Sequence, residues 1–243
     1  MRFAHAPELL AQFPELAVAT LTLTGIDAGT DTTTAAAPFL ARASERLAGS
    51  TESEFPEIAA WRRAFSRMGL KPTQYRCASE ALLRRYRTDG ALPSIHPLVD
   101  LCNAVSLAFA IPIAVFDLAN VTGDVTVRHS TGMETYLTFG GTTENPHVGE
   151  VIFADEAGHA HARRWCNRQS ALSAIRPTTH DVLIVAEAMH DTGSRDVADL
   201  RGSLLGALPP GWGVTCGDGP GGFAERIRGG VVSESGLARG TTR

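Results

Sequence analysis

The sequence predicts an α+β fold in which a mixed or antiparallel β core is flanked by helices. Two observations carry this. Helical periodicity dominates up to residue 109, whereas short β-branched runs separated by turn signals dominate from 113 to 188. The 243-residue length suits one large domain with a substantial core, and no internal repeat is visible.

The elements follow in order. Pro7 to Gln12 reads as a short opening helix. Residues 16–26 alternate, with Val18, Thr20, Thr22 and Thr24 opposed to Ala17, Ala19, Leu21 and Leu23, which predicts a strand. Residues 35–48 are Ala-rich and stop at Gly49, as a helix would. Residues 57–70 form the clearest amphipathic helix: Ile58, Trp61, Phe65 and Met68 make one stripe, after Pro56 and before Gly69. A further helix is expected over 77–87, where Ala81, Leu82 and Leu83 can face inward. Another follows Pro97, with Leu98, Leu101, Cys102, Val105 and Phe109 on its buried side.

Strands are expected at Ile113–Asp117, Val125–His129, 134–139, 148–154 and Val182–Ala188, and a last helix over 195–208. From Pro209 onward glycine and proline dominate. Residues 1–209 therefore read as a single domain and 210–243 as a flexible tail.

Composition excludes several functions. No run of 18 apolar residues exists, which argues against a membrane span. The N-terminus lacks the apolar core of an export signal. Cys77, Cys102, Cys166 and Cys216 are widely spaced, without a C-x-x-C pair. They predict free thiols in a cytoplasmic protein and no structural zinc. No P-loop, G-x-G-x-x-G or G-x-S-x-G occurs, and no cofactor is expected. His159 and His161 form an H-x-H that can serve a metal on a strand or lie exposed in a loop; the second is the stronger reading, and no metal site is predicted.

The charge is uneven. Over 61–88 stand Arg62, Arg63, Arg67, Lys71, Arg76, Arg84, Arg85 and Arg87 against Glu80 alone, a local net charge of +7. The remaining 14 basic and 25 acidic residues leave the rest of the chain at −11. Such a segment is either a solvated helix face or a track for phosphates, which the planar guanidinium fork suits. It leads into the most polar motif of the chain, Ser94, His96, Pro97, Asp100 and Asn103. A helix starting at Pro97 would aim unpaired N–H groups at that spot. Asp100 and Asn103 can face a pocket there or tie the helix to a sheet.

These residues are part of a longer pattern. Val99, Asp100 and Asn103 make a V-D-x-x-N. Pro112, then Phe116 and Asp117, then Gly123, then Val127 and Arg128, then Glu134 follow at set intervals, and the run VIFADE ends at 156. The pattern resembles the B3/B4 domain of the phenylalanyl-tRNA synthetase beta subunit, over roughly 75–190. Freestanding members of that family share an S-E-A-L-L-R-R like that at 79–85 and an R-R-W-x-x-R-Q like that at 163–169. The synthetase's activation motifs and anticodon-binding module have no counterpart here.

The resemblance implies a layered B3/B4-type fold and a trans-acting deacylase for mischarged aminoacyl-tRNA. The alternative is a non-catalytic module that binds aminoacyl-tRNA or a free amino acid; a further one is a small-ester hydrolase. Within the deacylase reading, the candidates around the reacting ester are His96, Asn103 and Glu134. Asp117 and Glu134 are candidates for the substrate's ammonium group. Arg128 pairing with either acid is an equally good structural role for all three. Asp100 is a further candidate for substrate binding, and Trp165 is expected to stack on the terminal adenosine, with Arg168 and Gln169 beside it. Arg63, Arg67, Arg76, Arg84 and Arg85 are expected on acceptor-stem phosphates. The partner is then aminoacylated tRNA at its acceptor stem and CCA end, with no DNA and no membrane. Two positions depart from the synthetase. Ala114 replaces a His, and the segment 165–169 is bulky and charged where the synthetase has Gly-Gly. Tyrosine specificity therefore does not transfer.

Overall fold

The structure is a computed structural model that describes residues 1–216. In chain order its elements are β1 (Phe3–His5), α1 (Pro7–Gln12), β2 (Ala17–Thr24), α2 (Thr33–Gly49), α3 (Pro56–Arg67), α4 (Ala78–Asp89), α5 (Pro97–Phe109), β3 (Ile113–Asp117), β4 (Val125–His129), β5 (Tyr136–Leu137), β6 (Thr143–Glu144), β7 (Val151–Ala154), β8 (Ala160–Arg163), β9 (Arg168–Gln169), β10 (Val182–Ala188), α6 (Gly193–Ala207) and β11 (Gly213–Cys216). Single 3-10 turns at Glu52–Glu54 and Leu118–Asn120 complete the order. The α+β class is as the sequence predicts.

Two sheets form the core. One has the order β11-β2-β10-β3 and is antiparallel throughout. The other, β1-β4-β7-β8-β9, is mixed because β1 runs parallel to β4. The run Val-Leu-Ile-Val of β10 explains the layering. A strand buried on both faces reads as continuously apolar, and every residue of β10 is buried. Val182, Ile184 and Ala186 face Leu101, Val105, Val197 and Leu200 of α5 and α6. Leu183 and Val185 face Val127, Val151, Phe153 and Ala162 of the second sheet. The result is three layers: helices, four-stranded sheet, five-stranded sheet.

Helices α1, α3 and α4 close one side of the space between the sheets. The stripe foreseen on α3 is buried at Ile58, Trp61 and Phe65. Trp61 meets Trp165 edge-on at 5.3 Å, and Trp165 meets Phe13 edge-on at 5.0 Å. On α4 the inward residues are Ser79, Glu80 and Leu83, while Ala81 is exposed. Glu80 is 1% exposed and accepts from Arg62 at 2.6 Å.

Several expectations need correction. The tail does not begin at 210. Trp212 is buried against the α2, α5 and α6 layer, and β11 pairs with β2 in the register Val214 to Leu23. The rest of the expected tail, 217–243, lies outside the described residues. The strand expected over 134–139 shortens to β5, because Glu134 is committed to a turn and Gly140 and Gly141 close a hairpin to β6. Strands β1, β6, β8 and β9 are short or carry His and Arg inward, so period-two patterning does not reveal them.

Candidate functional site

A chamber opens between the two sheets. Ala114 of β3 stands beside Val185 of β10 in the ladder, and both face the second sheet. There Phe153 of β7 pairs with Ala162 of β8, which pairs with Gln169 of β9. Pro112 and Ile113 complete one wall, and the turn carrying Trp165, Cys166, Asn167 and Arg168 forms the rim. The empty space is about 420 Å3 with its open mouth included.

The rim turn is strained. Arg164 and Trp165 sit at φ 46° and 59°, the left-handed region that a Cβ disfavours. Their surroundings hold them there. The Trp165 N–H donates to Val151 O at 2.7 Å, and the Ala78 N–H donates to Cys166 O at 2.9 Å. Asn167 donates to Arg76 O at 2.7 Å, so the start of α4 is stitched to the rim.

One carboxylate lines the chamber. Glu187 of β10 is 3% exposed and lies two residues beyond Val185, on the same face. Its Oε1 is 2.6 Å from His5 Nε2, and its Oε2 accepts from Trp165 Nε1 at 3.0 Å. A carboxylate has about four acceptor positions, so two remain for a ligand. The Cys166 thiol is no nucleophile: burial first, and the nearby Cys77 and Glu187 next, push it well above its ordinary range.

An open groove adjoins the chamber. Tyr136, Thr138, Phe139, Gly140, Thr142 and Glu144 of the β5–β6 hairpin line it, and Arg168 and Gln169 line both spaces. Arg168 is 45% exposed, with Glu144 at 4.0 Å. Gln169 donates through Nε2 to Val115 O at 2.6 Å, which fixes it as the partition.

Of the residues singled out in the sequence, Arg168 and Gln169 stand at this site. Trp165 stands there too, but not as a stacking platform. It is fully buried between Phe13 and Trp61, and no base can reach its face. Glu134 is likewise committed. It is 3% exposed and accepts from Arg128 at 2.5 Å, from Ser130 at 2.6 Å, and from the N–H groups of Thr131 and Gly132. Burial alone would raise its pKa; the hydrogen bonds from Ser130 and Arg128 outweigh that and hold it far below the usual carboxylate range. The Arg128–Glu134 pair is thus structural. Asp117 caps the Leu118–Asn120 turn through Ala119 N–H at 3.0 Å and accepts from Thr179 at 2.8 Å. None of these three lines the chamber or the groove.

The polar motif at the start of α5 also lies elsewhere. That half of the helix packs on the opposite face of the four-stranded sheet, through Leu98, Leu101 and Cys102. His96 caps the helix: its Nδ1 accepts from the Leu98 N–H at 3.2 Å, while Nε2 has no partner among the described residues. Burial pushes the His96 pKa down, against the opposing pull of Asp100 and Asp27. Asp100 accepts from Ser94 at 2.5 Å and from the Ile95 N–H at 2.9 Å. Asn103 is half-buried on the same helix and lines neither space. Within the V-D-x-x-N, Asp100 therefore ties down the start of the helix.

The basic segment is largely neutralised. Arg62 and Arg76 both pair with Glu80, Arg87 with Glu52, Arg67 with Glu15 and Arg85 with Asp89. Arg63, Lys71 and Arg84 are exposed without an acidic partner among the described residues.

The H-x-H does not lie exposed in a loop as expected. His161 is fully buried in β8, with Nδ1 2.9 Å from Ser173 Oγ and Nε2 3.2 Å from Asp155 Oδ2. Burial lowers its pKa against the pull of Asp155. No group of three metal-ligating side chains occurs among the described residues. No described helix is long and apolar enough to cross a membrane.

Sequence reasoning missed Glu187 and Phe139. Glu187 had a signal, as the single charge inside an apolar strand run. Phe139 had a weaker one, an aromatic residue directly before Gly-Gly.

Comparison with known proteins places this chain. A family model described as the B3/4 domain matches residues 60–199, a span that holds every residue lining the chamber. The phenylalanine–tRNA ligase beta subunit of Shewanella oneidensis is 31% identical over 136 residues, covering 53% of this chain and 16% of that protein. The corresponding subunit of Photorhabdus laumondii is 30% identical over 87 residues, covering 36% of this chain and 11% of that protein. The chain thus spans less than a fifth of the length of these curated relatives. The crystal structure of an N-terminal fragment of the phenylalanyl-tRNA synthetase beta-subunit from Pyrococcus horikoshii overlays with a TM-score of 0.46 at 10% identity, covering 88% of this chain and 50% of that one. With its matched span taking in more than half of the sequence, the chain belongs to the B3/4 domain family.

Proposed function

We propose that this chain hydrolyses the ester of mischarged aminoacyl-tRNA in trans, as a cytoplasmic quality-control hydrolase. The observation that carries the reading is the chamber. Ala114 and the segment 165–169, the two places where the sequence departs from the synthetase, stand in its walls around one buried carboxylate. Its walls are mainly apolar, with a few polar groups at the rim, as in a small-ligand site.

The chemistry follows from these groups. The amino acid enters between the sheets, and Glu187 accepts a hydrogen bond from a donor on it. The ester then lies at the mouth, beside Arg168 and Gln169. Arg168 supplies positive charge near the carbonyl oxygen, where negative charge grows as water attacks. Among the described residues no unengaged imidazole or carboxylate lines the chamber. As the water oxygen bonds to the carbonyl carbon and the ester C–O bond to the ribose breaks, the water's proton ends on the departing ribose oxygen, relayed by the neighbouring ribose hydroxyl. Arg63, Lys71 and Arg84 hold phosphates of the acceptor stem.

The same lack of an unengaged base favours one other reading, a module that binds aminoacyl-tRNA without cleaving it. A deacylation assay on a panel of mischarged tRNAs separates the two. Release of the amino acid at substoichiometric protein supports the hydrolase. Binding with no release from any tRNA overturns it.

A further inference from the structure

We propose that the groove outside the chamber is a subsite for the terminal adenosine of the substrate, with Phe139 as the stacking face. This rests on the reading above and names a residue that does what Trp165 cannot. Phe139 is 75% exposed and lines the groove. Its hairpin tip is tightly closed. The hydroxyls of Thr138 and Thr142 are 2.8 Å apart, the Thr138 N–H donates to Thr142 O at 2.9 Å, and the Gly141 N–H donates to Thr138 O at 3.0 Å. A large ring is thus held in water on a fixed support, a poor use of an aromatic side chain unless a flat partner covers it.

Continuity with the chamber selects that partner. Arg168 and Gln169 line both spaces. A ligand whose acyl group fills the chamber passes them on its way out. In an aminoacyl-tRNA the next groups are the ribose and then adenine. Adenine offers a π face to Phe139. Such stacking is indifferent to base edges and needs no hydrogen-bond readout. Arg168 stays at the junction of the two spaces, with its guanidinium 5.7 Å from the Tyr136 ring centroid and Glu144 at 4.0 Å.

The test uses the full chain and two variants, Phe139→Ala and Phe139→Trp. Calorimetry with the trinucleotide CCA reads the subsite, and amino-acid release from mischarged tRNA reads the reaction. Phe139→Ala is expected to weaken CCA binding and raise KM about tenfold, within the range for one stacked base, with kcat changed less than about twofold. Phe139→Trp is expected to restore both. Melting temperature should hold in all three, since the ring is exposed. The subsite is overturned if the wild-type chain does not bind CCA, or if Phe139→Ala binds it as well as wild type. If CCA binds in a Phe139-dependent way and no tRNA is deacylated, the subsite stands and the hydrolase reading falls.

Discussion

Glu134 carries a stability effect that depends on pH. Its pKa is depressed in the folded chain, so its contribution is fully present above the unfolded value of about 4.3 and is lost as pH falls toward the folded one. Glu134→Ala leaves Arg128 and the turn N–H groups without their acceptor and is expected to cost about 3 kcal/mol at pH 7. Urea titrations at pH 7 and pH 3.5 check this: the gap between variant and wild type should shrink in acid. An equal gap at both pH values would mean that the carboxylate charge contributes nothing. This residue also marks a limit of the sequence. A Glu six residues after an Arg reads equally well as a catalytic acid or as half of an ion pair. Only the converging Ser130, Thr131 and Gly132 donors decide between them.

At the scale of elements, β11 shows how composition misleads. Glycine and proline around 209–213 suggest a chain with nothing to bury, yet Gly213 packs against Thr24 so closely that a side chain there would displace the Thr24 hydroxyl. Trp212 anchors the segment at 6% exposure. Trp212→Ala is expected to lose about 3 kcal/mol of stability, read as a lower urea midpoint with little change in slope. An unchanged midpoint would contradict the packing of this segment. The long periodic elements α3, α5 and β10 were legible, since their burial is one-sided or complete and writes itself into the pattern. The two-residue strands β5, β6 and β9 were not, because their partners and not their own residues make them strands. They are the elements that frame the groove, so the site was less legible than the fold.

Across the whole molecule, charge pairing revises the meaning of the +7 segment. Were all eight basic residues on phosphates, affinity for tRNA would fall by about 10^4 between 50 and 200 mM salt. With Arg63, Lys71 and Arg84 alone, the fall is roughly 20- to 40-fold. The double variant Arg63→Ala with Arg84→Ala should reduce the logarithmic salt slope by about two. A slope matching eight contacts would mean that the ion pairs to Glu80, Glu52, Glu15 and Asp89 open on binding. Of the residues named from the family resemblance, Arg168 and Gln169 stand at the rim of the chamber, while Asp100 and Asn103 stand on the far side of the four-stranded sheet.

On the proposed function, the chamber between the sheets holds the amino acid whose ester is cleaved. The most direct measurement is the rate of amino-acid release from a mischarged tRNA by wild type and by Ala114→Phe, which fills the chamber from the β3 wall. Release is expected to fall at least about a hundredfold, while tRNA binding through Arg63, Lys71 and Arg84 is kept, since a blocked acyl group forfeits the positioning that drives the reaction. Release at the wild-type rate by a stably folded Ala114→Phe would contradict it.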